Sequence, residues 1–306
     1  MRRSVTLIAV MITLLISWGE LLAQISPSRS VVVRPLHDTT IDSGPLAQAA
    51  FTFEMARGWR SLEDEQAWQL RLHGLVELWR FNEDLTVAFT AHHELTASPY
   101  SSIGFNPRTA RWEEQILVQG QVENILWTAG VLHRCKHDID NNEPPNDDTS
   151  NVQYIPTRRA VILSGIKANV QHSLPFATAG AFTLSTSLGA DYYPISEDYR
   201  TPGGNDEGSW KDMEGAVNAR LDLSVALSDL WSVTMATWAS VPWFTARNMD
   251  DNGIPFDGRA ELRLTARRNV SIDAFIAVDH QFDEVVYLSP QPTTVVQVGL
   301  RLGGFQ

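Results

Sequence analysis

The sequence predicts an all-β protein, an antiparallel up-and-down transmembrane β-barrel of about twelve strands. Three observations predict this fold. Long segments alternate between apolar and polar residues with a period of two, which is typical of strands that face two different environments. Short and long connections alternate between these segments. After the N-terminal 23 residues, no segment is long and apolar enough for a membrane helix.

The clearest alternating segment spans residues 213–227. Every second residue from Met213 to Leu227 is uncharged, whereas the intervening residues include Arg220 and Asp222. A tilted membrane strand needs about 9–11 residues, whereas an average globular strand has about 5–6. This segment is therefore long enough to cross a bilayer, and a second alternating segment, 230–241, follows a tight turn.

Ten further segments alternate in the same way and complete the predicted barrel. They are residues 47–55, 68–80, 85–95, 114–123, 125–136, 159–171, 178–190, 259–267, 270–279 and 293–305. An even number of strands is expected for a bacterial single-chain barrel.

The predicted connections divide into two classes. The short turns are residues 82–84, 124, 172–175, 228–229 and 268–269. The long polar loops are residues 58–65, 96–112, 138–156, 191–210, 244–258 and 283–292. In outer-membrane barrels the short turns face the periplasm and the long loops face outside. Eight tryptophans also lie at predicted strand ends, where interfacial girdles are expected: Trp59, Trp68, Trp79, Trp112, Trp127, Trp210, Trp231 and Trp243.

The N-terminus predicts export. Arg2 and Arg3 precede an apolar run, and cleavage is expected after Ala23. We therefore expect a signal peptide at residues 1–23, a periplasmic extension at 24–45 and the barrel at 46–306.

Composition excludes several classes of protein. Of the 306 residues, 43% are hydrophobic and 20% are charged, which is unlike a disordered chain or a bundle of membrane helices. The net charge of -12 argues against nucleic acid as a partner. Cys135 is the only cysteine, so no intrachain disulfide is expected.

The signal peptide, the alternating strands and the last strand, residues 297–305, resemble Gram-negative outer-membrane β-barrel proteins. Gln297, Gly299 and Leu302 fit the C-terminal signal that the barrel assembly machinery reads, although Gly304 stands where an apolar residue is usual. The resemblance implies a location in the outer membrane of a Gram-negative bacterium. The implied partners are membrane lipid, lipopolysaccharide and, during insertion, the barrel assembly machinery.

The polar faces of the strands predict the lining of the lumen. The expected lumen-lining residues are Arg71, His73, Glu77, Glu94, Glu123, Lys167, Glu214, Arg220, Asp222, Glu261, Arg263, Asp273 and Arg301. The lumen is either a wet route with charge-based selectivity or an interior filled by ion pairs, because twelve strands fall between filled small barrels and open porins. The leading expectation is porin-like passage or binding of small polar solutes, with no cofactor. A non-conducting structural or adhesive barrel is an alternative.

A second cluster lies in residues 132–142, where His133 and Cys135 are expected on the outward face. This pattern resembles the His-x-Ser pair of the outer-membrane phospholipase A and lipid A deacylase families, although Lys136 replaces the usual asparagine. The resemblance implies a lipid hydrolase, with His133 as general base, Cys135 as nucleophile, and Asn151 or an acidic loop residue orienting the histidine.

Two other interpretations of this cluster stay open. One is a metal site formed by His133, His137, Asp138 and Asp140. The other is a solvated surface without a specific ligand. The sequence therefore leaves the existence of an enzymatic activity undecided.

Overall fold

The computed structural model describes residues 44–45, 49–59, 67–82, 84–99, 105–139, 158–176, 182–201, 210–245, 255–268, 270–283 and 292–305. The predicted signal peptide, most of the predicted extension and several long loops lie outside these residues. None of the described residues belongs to a helix long and apolar enough to cross a membrane.

The described residues form thirteen antiparallel strands in one sheet. They are β1 (Gly44–Pro45), β2 (Ala49–Trp59), β3 (Trp68–Asn82), β4 (Leu85–Ser98), β5 (Asn106–Val122), β6 (Ile125–Asp138), β7 (Arg158–Phe176), β8 (Phe182–Thr201), β9 (Met213–Ala226), β10 (Trp231–Phe244), β11 (Asp257–Arg267), β12 (Val270–Gln281) and β13 (Thr293–Phe305). Strands β2 to β13 pair in chain order, and β13 pairs with β2. The predicted fold is confirmed: twelve strands close the barrel, and the two-residue β1 pairs with β3 beyond the start of β2.

The two faces of the wall have opposite polarity. Large apolar side chains point outward and are exposed on eleven of the twelve barrel strands, for example at Phe53, Leu72, Ile116, Val131, Ile166, Leu188, Val217, Trp231, Leu262, Ile276 and Leu300. Each barrel strand also buries polar side chains, for example at Glu54, Arg71, Thr90, Gln115, Arg134, Lys167, Asp191, Asn218, Thr234, Glu261, Asp273 and Gln297. This inversion suits hydrocarbon outside and a polar interior.

The connections alternate in length as predicted. Counted from the strand bounds, the connections at one end have two to five residues and those at the other end have seven to nineteen. The short-turn end also carries the start of β2 and the end of β13. One short turn is the two-residue turn Glu123–Asn124, in which Glu123 adopts a φ of 52°.

Three predicted connections were wrong in extent. The turn predicted at residues 172–175 belongs to β7, because Ser173 pairs with Ser185 of β8. The loops predicted at residues 96–112 and 191–210 are shorter than expected, because β5 begins at Asn106 and β8 continues to Thr201. These hairpins extend further than simple alternation indicates.

A β-bulge explains the missed half of β8. Tyr192 pairs with Ile166 and Ile195 pairs with Ser164, so Tyr193 and Pro194 together oppose Gly165. A Cβ at Gly165 would overlap the carbonyl oxygen of Tyr192, so the close approach of the bulge requires glycine. Proline is tolerated at bulges because it cannot donate to the ladder. The bulge shifts the alternation by one residue, and this shift hides the strand from a period-two search.

The tryptophans at strand ends do not all face outward. Trp79 and Trp231 are exposed on the outer face, as an interfacial girdle requires. Trp210, in contrast, is buried inside the long-loop end of the barrel, where its ring packs on Phe282. Its assignment to the girdle was wrong.

Candidate functional site

A row of alternating charges crosses the interior wall. The register sets Glu94 of β4 opposite Arg71 of β3, Arg71 opposite Glu54 of β2, Glu54 opposite Arg301 of β13, and Arg301 opposite Asp273 of β12. Directly opposed residues lie about 4.5–5.5 Å apart at Cβ, so Arg71, Glu54 and Arg301 each have partners of opposite sign on both sides. Strand pairing therefore aligns five charges in one ladder.

Glu54 is the most heavily engaged carboxylate of this row. It accepts hydrogen bonds from Arg71 at 2.5 Å and from Arg301 at 2.6 Å and 3.0 Å, and Arg259 lies 3.2 Å away. Asp279 in turn accepts from Arg71 at 2.7 Å and from Arg259 at 3.0 Å. We call Glu54, Arg71, Arg259, Asp279 and Arg301 the central cluster.

Phe275 lies inside the barrel next to the central cluster. The guanidinium carbons of Arg259 and Arg301 lie 5.0 and 5.2 Å from its ring centroid, within the range of cation–π contacts. A Cβ at Gly299 would overlap this ring, so the glycine leaves the space that the ring occupies.

Contacts that span the diameter close the long-loop end. Strands β6 and β12 are on opposite sides of the barrel, yet Lys136 Nζ donates to Gln281 Oε1 at 3.0 Å and to the carbonyl oxygen of Asp283 at 3.1 Å. Arg159 of β7 donates to Asp198 and Asp283, with shortest distances of 2.7 Å. We call Lys136, Arg159, Asp198, Gln281 and Asp283 the closing cluster.

An apolar cluster packs inside the same end. Trp210 joins it to the closing cluster by donating its indole N–H to Asp283 at 2.8 Å. The buried members are Leu132, Val161, Leu163, Tyr193, Trp210, Met213, Ala216 and Phe282. Apolar packing and ion pairs therefore block the same cross-section.

Burial of the interior charges differs between the two ends. The Arg159, Asp198 and Asp283 side chains at the long-loop end are 0–1% exposed. In the short-turn half, Arg220 and Asp222 are 19% and 17% exposed, although both belong to the inner face. In the same half, however, Glu77 and Arg80 are only 2% and 5% exposed. Part of the interior wall is thus accessible to water in the short-turn half, whereas the three charges at the long-loop end are not.

The predicted lumen-lining residues fall into three groups. Buried among interior contacts are Arg71, Glu77, Glu94, Lys167, Glu261 and Asp273. Partly accessible are His73, Arg220, Asp222, Arg263 and Arg301. Glu123 and Glu214 do not face the interior. Glu123 is exposed in the β5–β6 turn. Glu214 is exposed because a bulge opposite Phe244 shifts the alternation of β9 and turns Met213 inward instead.

A polar trio lies on the outward face, in the half of the barrel nearer the long loops. Ser164 of β7 pairs directly with His133 of β6, and His133 Nδ1 lies 2.8 Å from Ser164 Oγ. The other ring nitrogen, Nε2, lies 3.5 Å from Cys135 Sγ. Sequence reasoning missed Ser164, because only the register of β7 against β6 brings it to the histidine.

Apolar groups surround this trio. Val131 and Ile166 are 53% and 56% exposed on the same face. Cys135 is 4% exposed and lies between its cross-strand neighbours Trp112 and Ile162. The ring of Trp112 stacks on His137 with centroids 4.7 Å apart. The thiol therefore lies within the apolar outer surface, next to an aromatic pair.

The three described residues of the alternative metal site, His133, His137 and Asp138, are not brought together. His133 and His137 point outward, whereas the carboxylate of Asp138 accepts a hydrogen bond from the backbone N–H of Arg159 at 2.8 Å. Asp140 and the proposed orienting residue Asn151 lie outside the described residues.

No family model matches the chain, and no curated protein matches it. Among solved structures it is similar to the translocator domain of the autotransporter NalP from Neisseria meningitidis, with 12% identity, coverage of 84% of this chain and 87% of that one, and a TM-score of 0.40. Outer membrane phospholipase A from Escherichia coli gives 14% identity, 88% and 94% coverage and a TM-score of 0.38. The NanC porin gives 10% identity, 82% and 98% coverage and a TM-score of 0.41. The chain is a closed twelve-stranded β-barrel that resembles outer-membrane barrels in fold at low identity.

Proposed function

We propose that this outer-membrane barrel binds small polar solutes in its lumen from the short-turn side and passes them when the long-loop end opens. A difference in exposure is the observation that carries this proposal: Arg220 and Asp222 are partly accessible in the short-turn half, whereas Arg159, Asp198 and Asp283 are buried at the other end. Charged side chains of both signs line the accessible half, which suits polar solutes and excludes apolar ones.

Passage requires the closing cluster to separate. Lys136 reaches Gln281 across the full width of the barrel, and Arg159 is held by two carboxylates. A solute that crosses must displace these contacts, so the resting barrel conducts little. This behaviour agrees with the size of the barrel, because twelve strands enclose less free space than the 16–18 strands of porins.

Planar-bilayer conductance of the refolded protein tests this proposal. Lys136→Ala removes the contact across the diameter and is expected to raise conductance above that of the unaltered barrel. Arg57→Gln is the matched control, since Arg57 lies over the ring of Trp68 and away from the closing cluster. If neither the unaltered barrel nor Lys136→Ala conducts, passage is excluded and a structural or adhesive role becomes the better explanation.

A lipid hydrolase is the second candidate, and the trio His133, Cys135 and Ser164 favours it. With a proton on Nδ1, His133 donates to Ser164 Oγ and leaves Nε2 free to accept a proton from Cys135 Sγ. The thiolate then attacks an ester carbonyl, the alcohol leaves with the proton from Nε2, and water hydrolyses the thioester. The trio lies among outward apolar side chains, so lipid esters lie next to this face, and the reaction requires Cys135, which is 4% exposed, to become accessible to them.

The outer face contains a natural control for this candidate. His280 Nδ1 lies 2.8 Å from Thr294 Oγ1 in a similar histidine–hydroxyl pair, and the only cysteine is on another strand. In an assay of ester release from phospholipid vesicles, Cys135→Ala should abolish activity. Ser164→Ala should lower kcat more than it raises KM, and His280→Gln should change neither parameter. Activity that survives Cys135→Ala eliminates the thiol as nucleophile.

A further inference from the structure

Two histidines face each other inside the barrel, apart from the central and closing clusters. His73 of β3 pairs directly with His92 of β4, and their rings stack with centroids 3.9 Å apart and planes 16° apart. Across the same row, His73 is opposite Thr52 of β2 and His92 is opposite Glu113 of β5. Both imidazoles therefore belong to the polar inner wall.

His92 is buried without a hydrogen-bond partner. It is 2% exposed, and neither its Nδ1 nor its Nε2 forms a hydrogen bond with any described residue. Roughly nine in ten buried polar groups in proteins have a hydrogen-bond partner. A neutral imidazole offers one donor and one acceptor for such bonds. Its cross-strand neighbour Glu113 forms no hydrogen bond with either nitrogen and accepts from Arg134 at 2.5 Å instead. The ring is thus suited to a ligand that accepts an imidazole lone pair.

We propose that His73 and His92 bind one divalent transition-metal ion of the Zn²⁺, Ni²⁺ or Cu²⁺ type. Imidazole is a preferred ligand of these ions, whereas Ca²⁺ and Mg²⁺ prefer oxygen. Directly opposed residues place their Cβ atoms about 4.5–5.5 Å apart, and rotation about the soft χ2 torsion lets one nitrogen of each ring reach about 2.0–2.1 Å from a common ion.

The ion enters from the lumen and completes its coordination with water. His73 is only partly buried in the wall, so it provides the accessible side of the pair. Among the described residues, no group of three or more histidine, cysteine, aspartate or glutamate side chains is arranged to hold a metal. The site is therefore a two-imidazole site, and its binding energy comes from the cross-strand pair alone. This inference does not depend on solute passage or hydrolysis.

Copper binding to the refolded, untagged full chain tests the site directly. With one equivalent of Cu²⁺, the electron paramagnetic resonance spectrum is expected to show coupling to two imidazole nitrogens. A spectrum from oxygen ligands alone overturns the proposal without the need for any variant.

Equilibrium dialysis against Zn²⁺ locates the ligands. His73→Asn and His92→Asn are each expected to raise the Kd by at least the roughly 10–100-fold that loss of an outer-shell partner of a metal ligand causes. His93→Asn is the matched control, because His93 is the next residue of β4 and is exposed. Equal Kd values for the unaltered chain, His73→Asn and His93→Asn overturn the assignment. If His92→Asn fails to fold, the more accessible His73 position decides the outcome.

Discussion

Replacing Glu54 by glutamine is expected to destabilise the barrel strongly. The substitution keeps the shape of the side chain but removes the charge that three arginines share. At contact distances of 2.5–3.2 Å and an effective dielectric constant of 20, each pair has a gross Coulomb energy of about 5–7 kcal/mol.

Desolvation offsets most of that gross energy in the intact cluster. Removal of one partner from a buried ion pair nevertheless costs about 3–5 kcal/mol, because the remaining charges stay buried and uncompensated. Glu54 is 4% exposed, so we expect Glu54→Gln to lower the free energy of unfolding by about 3 kcal/mol or more.

Asp222→Asn is the matched control for this prediction. Asp222 accepts from Arg220 at 2.6 Å, a distance like those around Glu54, but both partners are 17–19% exposed to the interior water. An ion pair in contact with solvent contributes about 1 kcal/mol or less. Both substitutions therefore remove the charge of an ion-paired carboxylate, which is buried at Glu54 and partly exposed at Asp222.

Urea unfolding in detergent micelles, followed by tryptophan fluorescence, measures both variants. We expect the midpoint to fall much further for Glu54→Gln than for Asp222→Asn, with unchanged slopes. If Glu54→Gln costs no more than Asp222→Asn, burial of the central cluster is not what determines its contribution to stability.

Three further predictions concern the wall and its interior. Gly299→Ala should lower the free energy of unfolding in urea by about 1–3 kcal/mol, because its Cβ would lie 2.5 Å from a neighbouring backbone carbonyl oxygen. Gly74→Ala is the control: no atom lies within 4 Å of its Cβ, so it should be neutral or stabilise the barrel by about 0.4–1 kcal/mol. Trp210→Phe should cost about 1–3 kcal/mol in the same assay, because it leaves the buried carboxylate of the closing cluster without the indole N–H. In a cysteine-free background, Asp222→Cys should react with a water-soluble thiol reagent while Leu223→Cys does not, and equal labelling of both would refute the assignment of the two faces of β9.

Much of the fold could be predicted from the sequence because membrane strands alternate locally. The alternating residues of segment 213–227 required no knowledge of their partners, and neither did the alternation of short and long connections. Bulges limited this reasoning. The extra residue at Pro194 shifted β8 out of period, and the bulge at Glu214 exchanged the faces of Glu214 and Met213.

The candidate sites were predictable only in part. Alternation alone placed His133 and Cys135 on one face of β6, since they are two residues apart. The position of Ser164 depends on how β7 is aligned with β6, and the stacking of His73 on His92 depends on the alignment of β3 with β4. A register cannot be derived from one strand, because it is set by turns, bulges and closure together.

Alternation along the chain is enough to predict long two-faced strands joined by alternating short and long connections, because successive side chains of a strand point to opposite faces. Which interior charges meet depends instead on how the closed barrel brings distant strands together. Lys136 and Gln281 are 145 positions apart in the chain and lie on opposite walls, yet they are in contact. That contact exists because twelve strands close into a barrel narrow enough for two side chains to span it.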